Sequence, residues 1–258
     1  MQQPYYSADV YDARVDEQAV NAYVAKVFGW MFIGLLITCL TTVLLMYGVN
    51  VSEAFADFIV SLSQVVLIVF IAEVIIVGLI SARVAKMNPA TAKMLYVLYS
   101  VLNGLTFGLI AVLYANQTGG IYTLGLAFGI TAVSFGVMAV YGLVTQSDIT
   151  KFGNLLKMGL IGLLIVMVVN IFLRSAAMDY AICIAGLFIF LGLTAYDTKM
   201  IKAHYAQVAL NGPDVGSGFE GIGQDALASN LAIVGALKLY LDFINIFMFV
   251  LRLLGGRK

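Results

Sequence analysis

Seven long apolar runs govern what this chain can fold into. They cover residues 27–49, 59–82, 94–114, 121–144, 158–173, 180–196 and 231–251, and the charged side chains inside them are Glu73, Lys238 and Asp242. Crossing a hydrocarbon core of roughly 30 Å takes about 20 helical residues, whereas a membrane barrel shows alternating segments of about ten. Unbroken runs of this length predict an all-α polytopic membrane protein with seven transmembrane helices. The fifth and sixth runs are short, so their helices must extend into flanking residues such as 152–157 and 197–205. Composition agrees, since 62% of the 258 residues are hydrophobic and 11% charged, against roughly 45 to 50% and about 25% in soluble domains. Two Cys, three Pro and 14 basic against 14 acidic residues argue against a disulfide scaffold, a disordered chain and a nucleic-acid binder.

The runs are spaced closely enough to form one domain, 27–254, preceded by a leader, 1–26, and followed by a basic tail, 255–258; the stretch 206–228 reads as a flexible loop. The first run is too long for a signal peptide, and its leader is acidic (Asp9, Asp12, Asp16, Glu17). Asn88-Pro89 marks a helix start, because Asn caps and Pro tolerates the first turn. Gly104-x-x-x-Gly108 and Gly125-x-x-x-Gly129 have the spacing that lets membrane helices approach closely, although lipid-facing glycine reads equally well. Cys39 and Cys183, mid-run in different helices, read as small buried residues.

Nine Lys or Arg lie in the leader and in the loops after the second, fourth and sixth runs, against one, Arg174, in the remaining loops. That asymmetry places the N-terminus in the cytoplasm. Seven full spans then carry the basic tail outside, against the rule, so the last segment either spans with an exceptional tail or re-enters with both termini inside.

A charge at the centre of a membrane helix costs about 2.5 kcal/mol or more and is a functional candidate by default. Glu73 has apolar neighbours on its own helix face, so its partner must come from another helix. Lys238, Asp242 and Asn245 follow three-four spacing on one stripe of the last run, which should face protein or water. Asp197 closes the sixth run. Two carboxyls sharing a site cannot both ionise cheaply, so such a pair holds one proton and titrates as a unit. Gly216-Ser217-Gly218-Phe219-Glu220-Gly221 matches a dinucleotide fingerprint in letters but lacks the strand that would make it one, and His204 has no ligand partner at metal-site spacing.

Leu193-Thr194-Ala195-Tyr196-Asp197-Thr198, Tyr240-Leu241-Asp242-Phe243-Ile244-Asn245, Met87-Asn88-Pro89-Ala90-Thr91-Ala92, the Tyr99-Ser100 to Thr106 segment and Val140-Tyr141-Gly142 together closely resemble the bacterial branch of the Bax inhibitor-1 family. The resemblance runs from the first helix to the C-terminus. It implies a seven-helix fold with a central last helix and a pH-sensitive calcium leak, with no resident cofactor. It also implies that Asp197 and Asp242 form the hydrogen-bonded pair that senses pH and transiently holds calcium, that an arginine of the second helix, for which Arg83 just past the second run is the nearest candidate, latches onto the pair, and that Tyr196, Thr198, Lys238, Asn245 and Glu73 are supporting polar groups. Partners implied are the bilayer, calcium ions and protons, and, in an alternative reading, other membrane proteins that the chain regulates by binding. Catalysis is not expected. An intramembrane aspartyl protease needs Gly-x-Gly-Asp at its second aspartate, and this chain has Leu239-Tyr240-Leu241-Asp242.

Overall fold

The computed structural model describes residues 17–63, 66–83, 87–115, 119–211 and 224–255, which form helices and short connections, with no strand among them. Eight helices are described: α1 (Glu17–Val51), α2 (Glu53–Ser63), α3 (Val66–Arg83), α4 (Pro89–Ala115), α5 (Gly120–Val144), α6 (Thr150–Leu173), α7 (Ala176–Asn211) and α8 (Gln224–Gly255). Six of them, α1 and α4 through α8, are long and apolar enough to cross a membrane. The second apolar run falls on α2 and α3, and α3 has 18 residues, about 27 Å of helix at 1.5 Å per residue.

Local chemistry sets the ends. Asn88 caps α4, its Oδ1 accepting the Ala90 amide at 2.9 Å, with Pro89 as the first helical residue. The short fifth and sixth runs do extend, α6 backward to Thr150 and α7 forward to Asn211. Three expected boundaries move. Residues 17–26 of the leader belong to α1, where Val20, Tyr23 and Val24 are buried, and Tyr23 stacks on Tyr205 of α7 with ring centroids 4.4 Å apart. The loop expected at 206–228 is narrowed by helix at both ends; its centre, with the 216–221 glycine motif, lies outside the described residues, as does the side chain of His204. Cys39 is exposed and not buried as expected, because its flank of α1 faces outward; Cys183 is buried.

Buried and exposed surfaces are arranged as in a bilayer. In α6, Ile161, Ile165, Val168 and Phe172 are exposed, and 6% of its apolar window is buried, against 61% in α8. The last helix is therefore the centre of the bundle, packed on α7, α1, α5, α4 and α3.

Two polar and steric devices fix α8 in place. Its Tyr240 is fully buried and shares a 2.6 Å hydrogen bond with the Thr38 hydroxyl of α1. Thr38 in turn donates to a carbonyl, Ser100 O at 2.9 Å or Gly34 O at 3.0 Å, so its one proton is committed and Tyr240 is the donor. Tyr96 and Tyr99 of α4 pack edge-on against the Tyr240 ring, at 6.2 and 5.5 Å. The two glycine pairs separate cleanly. A Cβ on Gly104 would meet Thr41 Cβ at 2.6 Å and the Thr38 carbonyl oxygen at 2.9 Å, while Gly125 and Gly129 have nothing within 4 Å. Only the Gly104 pair is a helix-packing motif. Gly104→Val should cost about 2 kcal/mol by overpacking, whereas Gly129→Val should leave detergent-solubilised melting temperature unchanged. Tyr240→Phe, which keeps the ring and deletes the donor, should cost about 1 kcal/mol in the same assay.

Candidate functional site

Polar groups of α7 and α8 meet near the middle of the bundle. Thr194 and Thr198 are buried and return their hydroxyl protons to the helix, to Phe190 O at 2.8 Å and Thr194 O at 2.7 Å. Each is satisfied without a partner helix, and each leaves an oxygen whose remaining role is to accept. Close packing holds this part of α7 against its neighbours: a Cβ at Gly142 of α5 would collide with the Ala195 backbone, and one at Gly153 of α6 with the Tyr196 ring. Lys157 of α6 lies over the Tyr196 ring, 5.4 Å from its centroid.

Asp242 of α8 is 4% exposed, and its Oδ2 has no hydrogen-bond partner among the described residues. Asp197 of α7 is half-buried and within Coulombic reach of Asp242, as is Lys238, one helical turn before it. Lys238 also faces Asp197, with Lys157 as a second cation. The two carboxyls expected to pair thus lie within Coulombic reach across the α7–α8 contact, but the expected hydrogen bond between them is not among those of the described residues. Arg83 is exposed at the C-terminal end of α3 and forms no ion pair among the described residues; the cations facing the pair are Lys238 and Lys157.

Two cavities flank this turn of α8. The smaller, about 40 Å³, is lined by Tyr23, Asp197, Ile201, Gly235 and Lys238 and has room for a few waters. The larger, about 470 Å³, is lined by Glu73, Tyr99, Asn103, Asn245, Arg252 and, beside Asp242 in the chain, Leu241. The Lys238-to-Asp242 turn stands between them. Glu73 is buried and accepts the Thr106 hydroxyl at 2.8 Å, so its partner comes from α4, another helix. Asn245 donates to Leu241 O at 2.8 Å within its own helix.

No cluster of three or more His, Cys, Asp or Glu side chains gathers among the described residues. A hard cation at Asp197 and Asp242 would have two carboxyls to draw on, short of the six to eight oxygens calcium prefers, with the rest coming from Thr194, backbone carbonyls or water.

One ion pair escaped the sequence reading. Arg252, in the last turn of α8, pairs with Asp179, in the first turn of α7. The clue was available: in antiparallel neighbours the first turn of one helix lies beside the last turn of the other, and each charge there suits its helix dipole.

Similarity to known proteins covers nearly the whole chain. The family model for the inhibitor of apoptosis-promoting Bax1 matches residues 20–258. Inner membrane protein YbhL of Escherichia coli K12 is 36% identical over 242 residues, 93% of each chain. An uncharacterized protein of Borreliella burgdorferi is 38% identical over 240 residues, 92% of this chain and 93% of its own, and an uncharacterized membrane protein of Streptococcus pyogenes is 32% identical over 236 residues, with 92% and 93% covered. A membrane bundle closed around its last helix, with Tyr-Asp-Thr and Tyr-Leu-Asp-Phe-Ile-Asn facing each other at its centre, is matched along almost its full length by that family model, and the chain belongs to the Bax inhibitor-1 family.

Proposed function

We propose that the protein is a pH-sensitive calcium leak channel of the bacterial inner membrane, gated by Asp197 and Asp242. The observation that carries this reading is the pair of cavities that line α8 up to Lys238 on one side and from Leu241 onward on the other, with the turn that leads to Asp242 between them. Seven spans, counting α3, with the N-terminus in the cytoplasm put the small cavity at the cytoplasmic end and the large one at the outer end. The unbroken 32-residue α8 supports a full span over a re-entrant segment, with the basic tail outside.

In this reading the aspartate pair is the barrier between two hydrated spaces. With a proton shared, one carboxyl donates to the other, the pair needs no counter-charge and the α7–α8 packing stays closed. With both ionised the carboxylates repel each other and attract a divalent cation, which favours the packing that joins the cavities. Two carboxylates hold calcium weakly, as a leak requires, since a tight site would trap the ion. Lys238 stabilises the ionised pair from the cytoplasmic side.

Calcium flux into proteoliposomes between pH 5 and 8 tests the gate. Wild-type flux should fall as acid protonates the pair, and Asp197→Asn and Asp242→Asn should each flatten that dependence; identical profiles in all three proteins would remove the pair from the mechanism. Lys238→Gln removes a cation that favours the carboxylates, so its flux should fall at a higher pH than wild type. Arg83→Gln separates the latch role from that of Lys238: a profile coincident with wild type assigns the counter-charge to Lys238, and a shift equal to that of Lys238→Gln returns it to Arg83.

A further inference from the structure

A third cavity lies away from the gate, between α6 and α7. It measures about 250 Å³, and none of the side chains that line it carries nitrogen or oxygen. Leu163 of α6 and Ile182 of α7 are its buried members, whereas Ala181 and Ala185, one helical turn apart on α7, are exposed. The buried pair forms the floor and the two alanines the mouth, where small side chains leave the wall open. Because α6 is peripheral and turns Ile161, Ile165 and Phe172 outward, a space beside it opens to the bilayer.

Width, length and charge together select an occupant. α6 and α7 pack on each other, and a third helix, about 10 Å across with its side chains, cannot enter a furrow between two helices in contact, whereas a hydrocarbon chain can. Along α7 the lining runs from Met178 to Ile189, about 16 Å of helical rise. One leaflet of a hydrocarbon core of roughly 30 Å offers about the same depth. An apolar space of this kind stays dry and gains dispersion contacts from a chain that fills it.

The charge is at the end of the groove. Arg174, in the turn that leads into Met178, is the one Lys or Arg in the loops that follow the first, third and fifth runs. It is exposed and forms no ion pair among the described residues. Its φ of 50° is a left-handed position that helix ends ordinarily give to Gly. Asn170 secures the turn, its carbonyl accepting the Arg174 amide at 2.8 Å and its Oδ1 the Ser175 amide at 3.1 Å. An ordered turn thus carries an uncompensated guanidinium where a glycine would be easier to place.

We propose that the α6–α7 groove is a binding site for an anionic phospholipid, with one acyl chain lying between Met178 and Ile189 and the headgroup phosphate on Arg174. The guanidinium suits a phosphate through paired N–H donors. The site goes beyond the aspartate gate and does not rest on it.

Native mass spectrometry of the delipidated full chain in detergent, titrated with dioleoylphosphatidylglycerol or dioleoylphosphatidylcholine, tests the site. Wild type should take up one phosphatidylglycerol about fivefold more tightly than phosphatidylcholine, the preference that one surface cation confers. Arg174→Gln should lose that preference while keeping its affinity for phosphatidylcholine. Ala185→Phe and the milder Ala181→Leu fill the groove from exposed positions and should weaken both lipids together; Val137→Phe, on the exposed face of α5, should change neither. Glycerophosphate, a headgroup without chains, should not compete. Equal affinity for the two lipids in wild type, or a preference that survives Arg174→Gln, overturns the headgroup contact. Unchanged binding in both alanine variants, or displacement of lipid by glycerophosphate, overturns the groove. A dimer that persists in excess lipid and is lost in both alanine variants assigns the groove to a second copy of the chain and overturns the lipid. Asp242→Asn should bind lipid as wild type does, so failure of the gate and failure of this site are read separately.

Discussion

The cost of holding charge inside hydrocarbon organises this bundle. Each charged side chain at membrane depth must be turned from lipid and given a partner or a hydrated wall, and α8 carries three of them: Lys238, Asp242 and Arg252. The stripe that carries them cannot face lipid. It is surrounded by α7, α1, α5, α4 and α3, while α6, whose apolar residues suit acyl chains on nearly every side, is left at the periphery. Hydrophobic burial does not make this distinction in a membrane, where lipid is as apolar as leucine; the polar groups and the small-residue contacts do.

Within α8 the work is divided by face. Tyr240 and Asp242 are two residues apart, about 200° around the helix, so they address opposite neighbours. The Tyr240 face is committed: its hydroxyl donates into the Thr38 and Ser100 chain, and tyrosine rings from α4 wedge its ring. The Asp242 face is left with an unpartnered oxygen and cavities above and below it. The helix is thus attached closely on one side and bordered by cavities on the other, so its Asp242 interface has more room to rearrange than its Tyr240 interface.

How far the sequence foretold this depends on how local each cause is. Run lengths and the Asn88-Pro89 start are local, and the helices follow them closely. The surroundings of Glu73 were legible too, because an acid in a long apolar run has few acceptable ones, and its hydrogen-bond partner, Thr106, does come from another helix. Three-dimensional neighbours were not legible. Gly104 and Gly125 begin identical spacings, yet one is pressed against Thr41 and the other meets open space, because only helix order around the bundle tells them apart. The same ignorance left Cys39 assigned to the interior. Which cations come within Coulombic reach of Asp197, Lys238 of α8 and Lys157 of α6, likewise depends on helix order.

The two charged layers are tied together because one helix pair carries both. Asp179 and Arg252 bind α7 to α8 where α7 begins and α8 ends, and Asp197 and Asp242 come within Coulombic reach of each other further along the same contact. A movement of α8 against α7 that separates the carboxyls cannot leave the Arg252 contact untouched, since an α-helix transmits axial displacement along its length with little compliance. The Arg252–Asp179 pair and the aspartate pair therefore belong to one interface, and a rearrangement of α8 against α7 at either bears on the other.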